Sequence, residues 1–542
     1  MPIDVLMQVL SFVGAPTPLL AMAVAAVRSK LQRTSHLLKA QFPTIVPMRI
    51  PSSFHGHHSP IVEQAASSIP VAMSRSEATW TSVFGGIPET VIKPWKPLPR
   101  KTYLFKRVNL VDAAQGAIIS NVNVKIADGV IKLVEKNDPR IVGLAQHLRG
   151  EDDLGPVTEV DLDGKFLCPG LIDCHVHVSS VPGELSLSSA AAISDPAISL
   201  LRQPFVCSQM LSRGFTTVRD TGGATLALKE AIEDGVFPGP RLFICNRALS
   251  QTGGHGDLRG AHDHGNQGGG CCGGSAGQLA VVCDGVPECI RAAREQLRTG
   301  ADFIKIMVGG GVASPTDRLT NTQFTAAEVR AICDVAESYG TYVTAHAYTP
   351  KAIRHAIDNG VKGIEHGNLI DESTARYMAE KGIWLTPTLV TYDAMASDEY
   401  AGFLPPQNQK KNEEVLRQGL KSLSIAEKAG VNMCYGSDLL GPLTREQSKE
   451  FGIRSVILKS KQVLQAATVN AAKMLGQESF LGQLKPGYAA DMLILNINPL
   501  NEVAALDEPE KHVLAVIKDG RVYVSRWRKL PLDATQGEEL IE

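Results

Sequence analysis

Apolar positions along the chain fall into two patterns. From Thr102 onward, short stretches alternate apolar and polar residues: Tyr103 to Val108, Val122 to Ile126 and Val157 to Leu162. A period of two turns one side of each stretch to a core and the other to solvent, which predicts strands of a small sheet. A matching set returns near the other end, at Asp491 to Leu495, Val513 to Lys518 and Arg521 to Val524, with Asp519-Gly520 as a hairpin turn between the last two. Together they predict one β-sandwich assembled from residues 96–166 and 480–530.

Between these sets, strand-like apolar runs alternate with segments of helical period. The runs are Gly170 to Cys174, Thr216 to Arg219, Arg241 to Cys245, Phe303 to Val308, Tyr342 to Ala345, Gly363 to Glu365, Ile383 to Pro387 and Val431 to Tyr435. From Ala326 to Tyr339, apolar Val329, Ile332, Cys333 and Ala336 keep the helical spacing. Eight such repeats over residues 167–479 predict an α/β fold, a (β/α)8 TIM barrel carrying insertions.

Composition narrows the function classes. The 542 residues carry a formal charge of −2, which argues against a general nucleic-acid partner. No apolar run in the main body is long enough for a stable membrane span. Ten cysteines without a Cys-x-x-Cys pair encode neither a disulfide framework nor a cysteine zinc ribbon. The first hundred residues differ from the rest, with 12 of the 31 prolines and 9 basic against 4 acidic residues. Residues 1–95 are therefore read as an N-terminal extension and 531–542 as a tail. In the extension the cations follow the apolar stretch, unlike a secretory signal, and only Asp4 is acidic before Glu63, as in an organellar presequence. A disordered start is the alternative. The expected compartment is the cytoplasm, or mitochondria if the extension targets.

Histidine placement carries the chemistry. In Leu171-Ile172-Asp173-Cys174-His175-Val176-His177, strand period puts both imidazoles on one face at the end of an apolar run. His346 ends Tyr342-Val343-Thr344-Ala345, His366 ends Gly363-Ile364-Glu365, and Asp438 follows Cys434-Tyr435-Gly436-Ser437. In a parallel barrel the carboxyl ends of the strands share one rim, so these five residues face one mouth. Four imidazoles and a carboxylate suit zinc or a similar divalent ion. Lys305 lies mid-strand in Asp302-Phe303-Ile304-Lys305-Ile306-Met307-Val308, where a free ammonium is costly to bury. It is a lysine snorkelling to the rim, a member of a buried ion pair, or an amine converted by carbon dioxide to a carbamate. The convergent histidines favour the carbamate, whose negative charge suits two cations.

These residues, with Pro169-Gly170-Leu171-Ile172-Asp173, Ile364-Glu365-His366-Gly367, Gly436-Ser437-Asp438 and the closing Gly487-Tyr488-x-Ala490-Asp491, resemble the amidohydrolase superfamily over residues 100–530. The similarity is to its imidazolonepropionase-like branch, which includes Xaa-Pro dipeptidases and ochratoxin-hydrolysing amidases. The resemblance implies two divalent ions, Zn2+ in expectation. One is held by His175, His177, Lys305 and Asp438, and the other by Lys305, His346 and His366, with Lys305 as N6-carboxylysine. It further implies hydrolysis of an amide in a small molecule by a metal-bridging hydroxide. Asp438 is then the catalytic acid/base as well as a ligand. A dipeptide, an N-acyl amino acid or an ochratoxin-like amide is the expected substrate. A cyclic amide or amidine is the enzymatic alternative, a barrel scaffold or binding protein the non-enzymatic one, and a homo-oligomer is compatible with the branch.

Substrate contacts are less sharply marked. Ser250-Gln251-Thr252-Gly253-Gly254-His255-Gly256-Asp257 opens a stretch with 11 glycines over residues 253–277, costly to order and suited to a lid or a close backbone wall. His255 is a candidate donor to substrate, with simple stabilisation of the loop as the alternative. Cys271-Cys272, and His262 and His264, are read as free thiols and solvated loop histidines. Tyr348, two residues after His346, stands where the resemblance places His in some members of the branch and is a candidate substrate contact. Arg318 is a candidate counterion for a substrate carboxylate, with a plain surface arginine as the alternative.

Overall fold

The computed structural model describes residues 89–137, 156–187, 196–262 and 278–534. The extension up to residue 88, the Cys271-Cys272 pair, His264 and the last eight residues lie outside them.

The alternating stretches are strands. β1 (Thr102–Asp112), β2 (Ala117–Ala127) and β3 (Val130–Lys136) form an antiparallel meander, with Phe105 opposite Val124. β4 (Val157–Asp161) and β5 (Phe166–Pro169) then pair parallel to β1. β3 and β5 were not expected. Lys132 and Glu135 interrupt the apolar pattern of β3, and β5 is only four residues long and runs straight into the next strand through Gly170.

β6 (Leu171–Val176), β7 (Phe215–Asp220) and β8 (Arg241–Ile244) make a three-stranded parallel sheet. β9 (Ala248–Ser250), β10 (Ala280–Val282), β11 (Ile304–Met307), β12 (Val343–Ala347), β13 (Gly363–His366), β14 (Trp384–Thr386) and β15 (Asn432–Met433) make a seven-stranded parallel sheet in the order β10-β9-β11-β12-β13-β14-β15. These ten strands alternate with helices except at β8, β9 and β10, between which no helix lies among the described residues. All eight expected runs carry a strand, although the last pairs only over two residues. β9 and β10 are additions. Asn246, at φ 58°, lies between β8 and β9, and β9 begins beyond the expected run of Arg241 to Cys245. Backbone hydrogen bonds also cross between the sheets: Cys174 N–H donates to Tyr435 O at 2.8 Å, Asp438 N–H to His175 O at 2.8 Å, and Asp302 N–H to Ile244 O at 2.7 Å.

The helix expected from Ala326 is observed at Ala326–Ser338. Thr325 caps it, and Glu328 returns the bond to the Thr325 amide, a capping box that fixes where it starts.

The chain then returns to the first sheet. β16 (Met492–Leu495) pairs with β5, β17 (Val513–Lys518) with β16, and β18 (Arg521–Ser525) with β17, so both ends of the chain share one eight-stranded sheet. Alternation along β16 explains how that sheet meets the rest. Met492 and Ile494 join Phe105, Val124, Leu167 and Ile517 in one apolar cluster, while Leu493 and Leu495 enter the cluster that contains residues of the parallel sheets and their helices. Both faces are therefore buried, and alternate residues of the strand serve different cores. Among the described residues no helix is long and apolar enough to cross a membrane.

The segment after β15 braces the site from behind. Glu450, fully buried, accepts the Val390 N–H at 2.6 Å and the Arg454 Nε–H at 2.6 Å, and Arg454 donates to the carbonyls of Cys434 and Pro387. Nearby Asp507 accepts the Gly452 N–H at 2.8 Å, and burial, with the charge of Glu450, pushes its carboxyl up to about 7. A folded-state pKa above the unfolded value means that Asp507 supports the fold at low pH and loses that contribution as pH rises through about 7. Asp507→Asn, which keeps the acceptor oxygen, is therefore expected to raise the melting temperature by roughly 2–4 °C at pH 8 and by little at pH 5. Equal shifts at both pH values in thermal melts would reject this assignment.

Candidate metal centre

Strand ends bring the expected donors to one place. His175 lies on β6 and His177 just beyond it, His346 on β12, His366 at the end of β13, and Asp438 beyond β15. Asp438 Oδ1 is 3.2 Å from His175 Nε2 and 3.1 Å from His177 Nε2, and Oδ2 is 3.8 Å from His366 Nδ1. Ligand atoms of His175, His366 and Asp438 all lie within 4.8 Å of one another. The His346 ring completes the cluster, 4.6 Å from that of His366.

Gly436 makes one of these approaches available. A Cβ there would lie 3.0 Å from His175 Cβ and meet the Thr386 methyl, so the chain entering Asp438 passes against β6 only without a side chain. His366 and Asp438 both adopt left-handed backbone, at φ 73° and 53°. Such conformations cost non-glycine residues energy and collect at functional sites.

Each imidazole is held by its second nitrogen. His175 Nδ1 lies 2.8 Å from Glu365 Oε2, His177 Nδ1 2.9 Å from the Gly222 carbonyl, His366 Nδ1 2.8 Å from Thr388 Oγ1, and His346 Nε2 3.1 Å from the Gly310 carbonyl. The acceptor carbonyls and carboxylate place the proton on the held nitrogen of His175, His177 and His346. The other nitrogen of each ring is then a lone-pair donor, the arrangement a metal ligand needs. The donor chemistry therefore fits divalent ions.

Glu365 and Arg219 form the electrostatic support of this arrangement. Both are 0% exposed, and Arg219 donates to Glu365 Oε1 at 2.6 Å and to the Cys174 carbonyl at 2.6 Å. The Thr344 hydroxyl also donates to Glu365. Burial alone raises a carboxyl pKa, but Arg219 and His175 outweigh it and hold Glu365 well below the usual range. Asp438 is likewise held well below it, the surrounding imidazoles overcoming burial, so it enters the site as a carboxylate.

Lys305, on β11, is 1% exposed. Burial pushes its pKa down, while the charges of Glu365 and Asp438 act against that and Arg219 adds to it. Among the described residues its ammonium makes no hydrogen bond or salt bridge. Of the three readings, snorkelling to the rim is inconsistent with this burial, and a direct ion pair is not observed.

Candidate substrate contacts separate into two groups. His255 stacks on His346 with ring centroids 4.1 Å apart, and the Tyr348 ring lies 4.7 Å from that of His346. Tyr348 is buried and its hydroxyl meets that of Tyr392 at 2.9 Å. Arg318 is exposed, and its backbone rather than its side chain is engaged, through Asn321.

Glu365, Arg219, Thr388 and Tyr392 had no assigned role in the sequence reading. A signal was present for two of them: a carboxylate and a guanidinium, each inside a short parallel strand, need one another if both are buried.

Comparison with known proteins agrees with this geometry. Residues 166–523 match the model of the Amidohydrolase family. Ochratoxinase of Aspergillus niger is 34% identical over 368 residues, which cover 66% of this chain and 75% of that protein. A crystal structure of an amidohydrolase superposes with a TM-score of 0.73 at 43% identity, covering 79% of this chain and all of the other. A prolidase complexed with N-methylphosphonate-L-proline superposes with a TM-score of 0.72 at 40% identity, again over 79% of this chain and 100% of the other.

Proposed function

Because the chain belongs to the amidohydrolase family, we propose that it is a binuclear metal-dependent amidohydrolase that cleaves the amide of a small molecule. The substrate class is a dipeptide, an N-acyl amino acid or an ochratoxin-like amide, by analogy with the ochratoxinase and prolidase relatives. The architecture we propose is a closed (β/α)8 barrel, supported by the backbone bonds from β6 to the chain after β15 and from β8 to the chain before β11. One observation carries the functional reading: four imidazoles, each with one nitrogen held by the protein, cluster around Asp438.

In this reading His175, His177, Lys305 and Asp438 hold one ion and Lys305, His346 and His366 the other, with Zn2+ the expected metal. Bound there, the ions would supply an activated water and polarise the scissile carbonyl. Lys305 bridges as N6-carboxylysine: its neutral amine nitrogen bonds to the carbon of carbon dioxide and releases a proton, giving an anion with two oxygen donors. Burial without a hydrogen bond or salt bridge supports this, since it disfavours the ammonium. Asp438 accepts the proton of the attacking water on a carboxylate oxygen and passes it to the departing amine nitrogen. His255 and Tyr348 face the substrate from beside His346, and Arg318, exposed in the loop after β11, is the counterion for a substrate carboxylate.

The test joins metal analysis to product formation. Protein supplied with zinc and bicarbonate is expected to hold about two metal ions per chain and to release amine from N-acyl-phenylalanine or an Xaa-Pro dipeptide. Less than one ion per chain, or turnover of lactams only, would overturn the reading.

A further inference from the structure

Beside the metal cluster lies a second, separately built hydrogen-bond chain that ends on His255. His255 Nδ1 is 2.9 Å from Ser314 Oγ, and the Ser314 hydroxyl donates to Asp317 Oδ1. Asp317, also buried, takes the Gly311 N–H at 3.1 Å, the Gln323 amide at 3.0 Å and the Lys411 ammonium at 3.2 Å. Lys411 also donates to the carbonyls of Gly311 and Ser314 at 3.0 Å each, and Asn408 donates to those of Val312 and Ser314. Both residues belong to the long helix Pro406–Ala429, which thereby fixes the loop after β11. Gln323 Oε1 accepts the His255 backbone N–H at 2.9 Å. Gly311 leaves the space in which the imidazole sits, because a Cβ at that position would overlap the Nδ1–Cε1 edge of the ring.

The direction of these bonds follows from proton counting. A serine hydroxyl has one proton, and the carboxylate of Asp317, already paired with Lys411, is the stronger acceptor for it. Ser314 Oγ is then left with lone pairs only towards His255, so Nδ1 must carry the imidazole proton. Nε2 has no partner among the described residues and is a hydrogen-bond acceptor. We infer that Ser314 and Asp317 are positioning residues that fix His255 in its Nδ1–H tautomer. The bare Nε2 then receives an N–H or O–H donor of the substrate beside His346. The geometric part stands alone, and only the role towards substrate rests on the amidohydrolase reading above. A secondary amide offers this acceptor the N–H of the scissile bond itself, whereas an Xaa-Pro bond, a tertiary amide, would have to offer another N–H or O–H of the substrate.

Nitrogen NMR of the full-length protein labelled at histidine tests this, with His255 signals assigned by their loss in His255→Gln. The expected wild-type spectrum shows a protonated Nδ1 and an unprotonated Nε2 for His255. Ser314→Ala and Asp317→Asn are expected to mix the tautomers, and Ser314→Thr, which keeps the hydroxyl, to restore the wild-type pattern. On N-acyl-phenylalanine, kcat/KM is expected to fall about tenfold in Ser314→Ala, with metal content and melting temperature unchanged, and to recover in Ser314→Thr. An Nε2–H tautomer in the wild type, or a pattern unmoved by both Ser314→Ala and Asp317→Asn, would overturn the relay. An intact relay in a metal-loaded wild type that hydrolyses no amide would instead overturn the functional reading and leave the relay standing. A shifted tautomer with kcat/KM unchanged would remove the substrate role of His255.

Discussion

Asp438→Asn is expected to keep at least half of the bound metal and to lose activity by about a thousandfold. The substitution is matched to its surroundings. Asparagine tolerates left-handed backbone, so φ 53° at this position is not a new strain. Its amide oxygen still faces the imidazoles of His175 and His177, where Asp438 Oδ1 lies 3.2 and 3.1 Å from their Nε2 atoms. What asparagine cannot do is take a proton from water and return it to an amine, because the amide is not a base near neutral pH. Metal analysis by mass spectrometry together with single-turnover kinetics separates the two functions. Full turnover in a metal-replete Asp438→Asn protein would remove the acid/base role and leave Asp438 as a ligand only.

Lys305→Ala is expected to have a similarly large effect by a different route: metal content falls below one ion per chain and turnover disappears. Formate or acetate added at high concentration is then expected to restore a measurable part of both, because a small carboxylate supplies two oxygens in the space the side chain vacates. Restoration by a carboxylate but not by methylamine identifies an anionic group at this position. The reverse result, rescue by the amine, would mean that the lysine acts as a cation. The environment makes the contrast sharp. The side chain is 1% exposed among Glu365, Asp438 and Arg219, and its ammonium has no direct bonding partner among the described residues. Burial without a bonding partner disfavours the ammonium, although the charges of Glu365 and Asp438 act against that.

Much of this site was legible before any tertiary information because strand ends are local features. The Leu171 to His177 run, Val343 to His346 and Gly363 to His366 each place a candidate ligand at the carboxyl end of an apolar segment, and parallel pairing carries those ends to a common rim. The sheet built from both termini was equally readable, since alternation in β1, β2 and β16–β18 survives in short stretches. Short strands were harder. β9 and β10 have three residues each, too few for a period to register, and β5 shares its apolar run with β6.

The supporting groups were hidden for another reason. Glu365 was visible as part of the Ile364 to Gly367 motif, yet its partner His175 is 190 residues away. Ser314 and Asp317 sit in a loop whose sequence has no periodicity, and their relation to His255 spans 59 residues between Ser314 and the imidazole.

The sequence by itself determined which side chains are candidates for the chemistry and at which end of the strands they stand, since side-chain type and strand period are properties of the local chain. The tertiary structure alone decided the state of each donor: which nitrogen of each imidazole is held, why Glu365 stays ionised, and that Lys305 has no counter-ion in contact among the described residues. Those depend on hydrogen bonds and charges from distant segments, and an imidazole presents either nitrogen until a neighbour takes one of them.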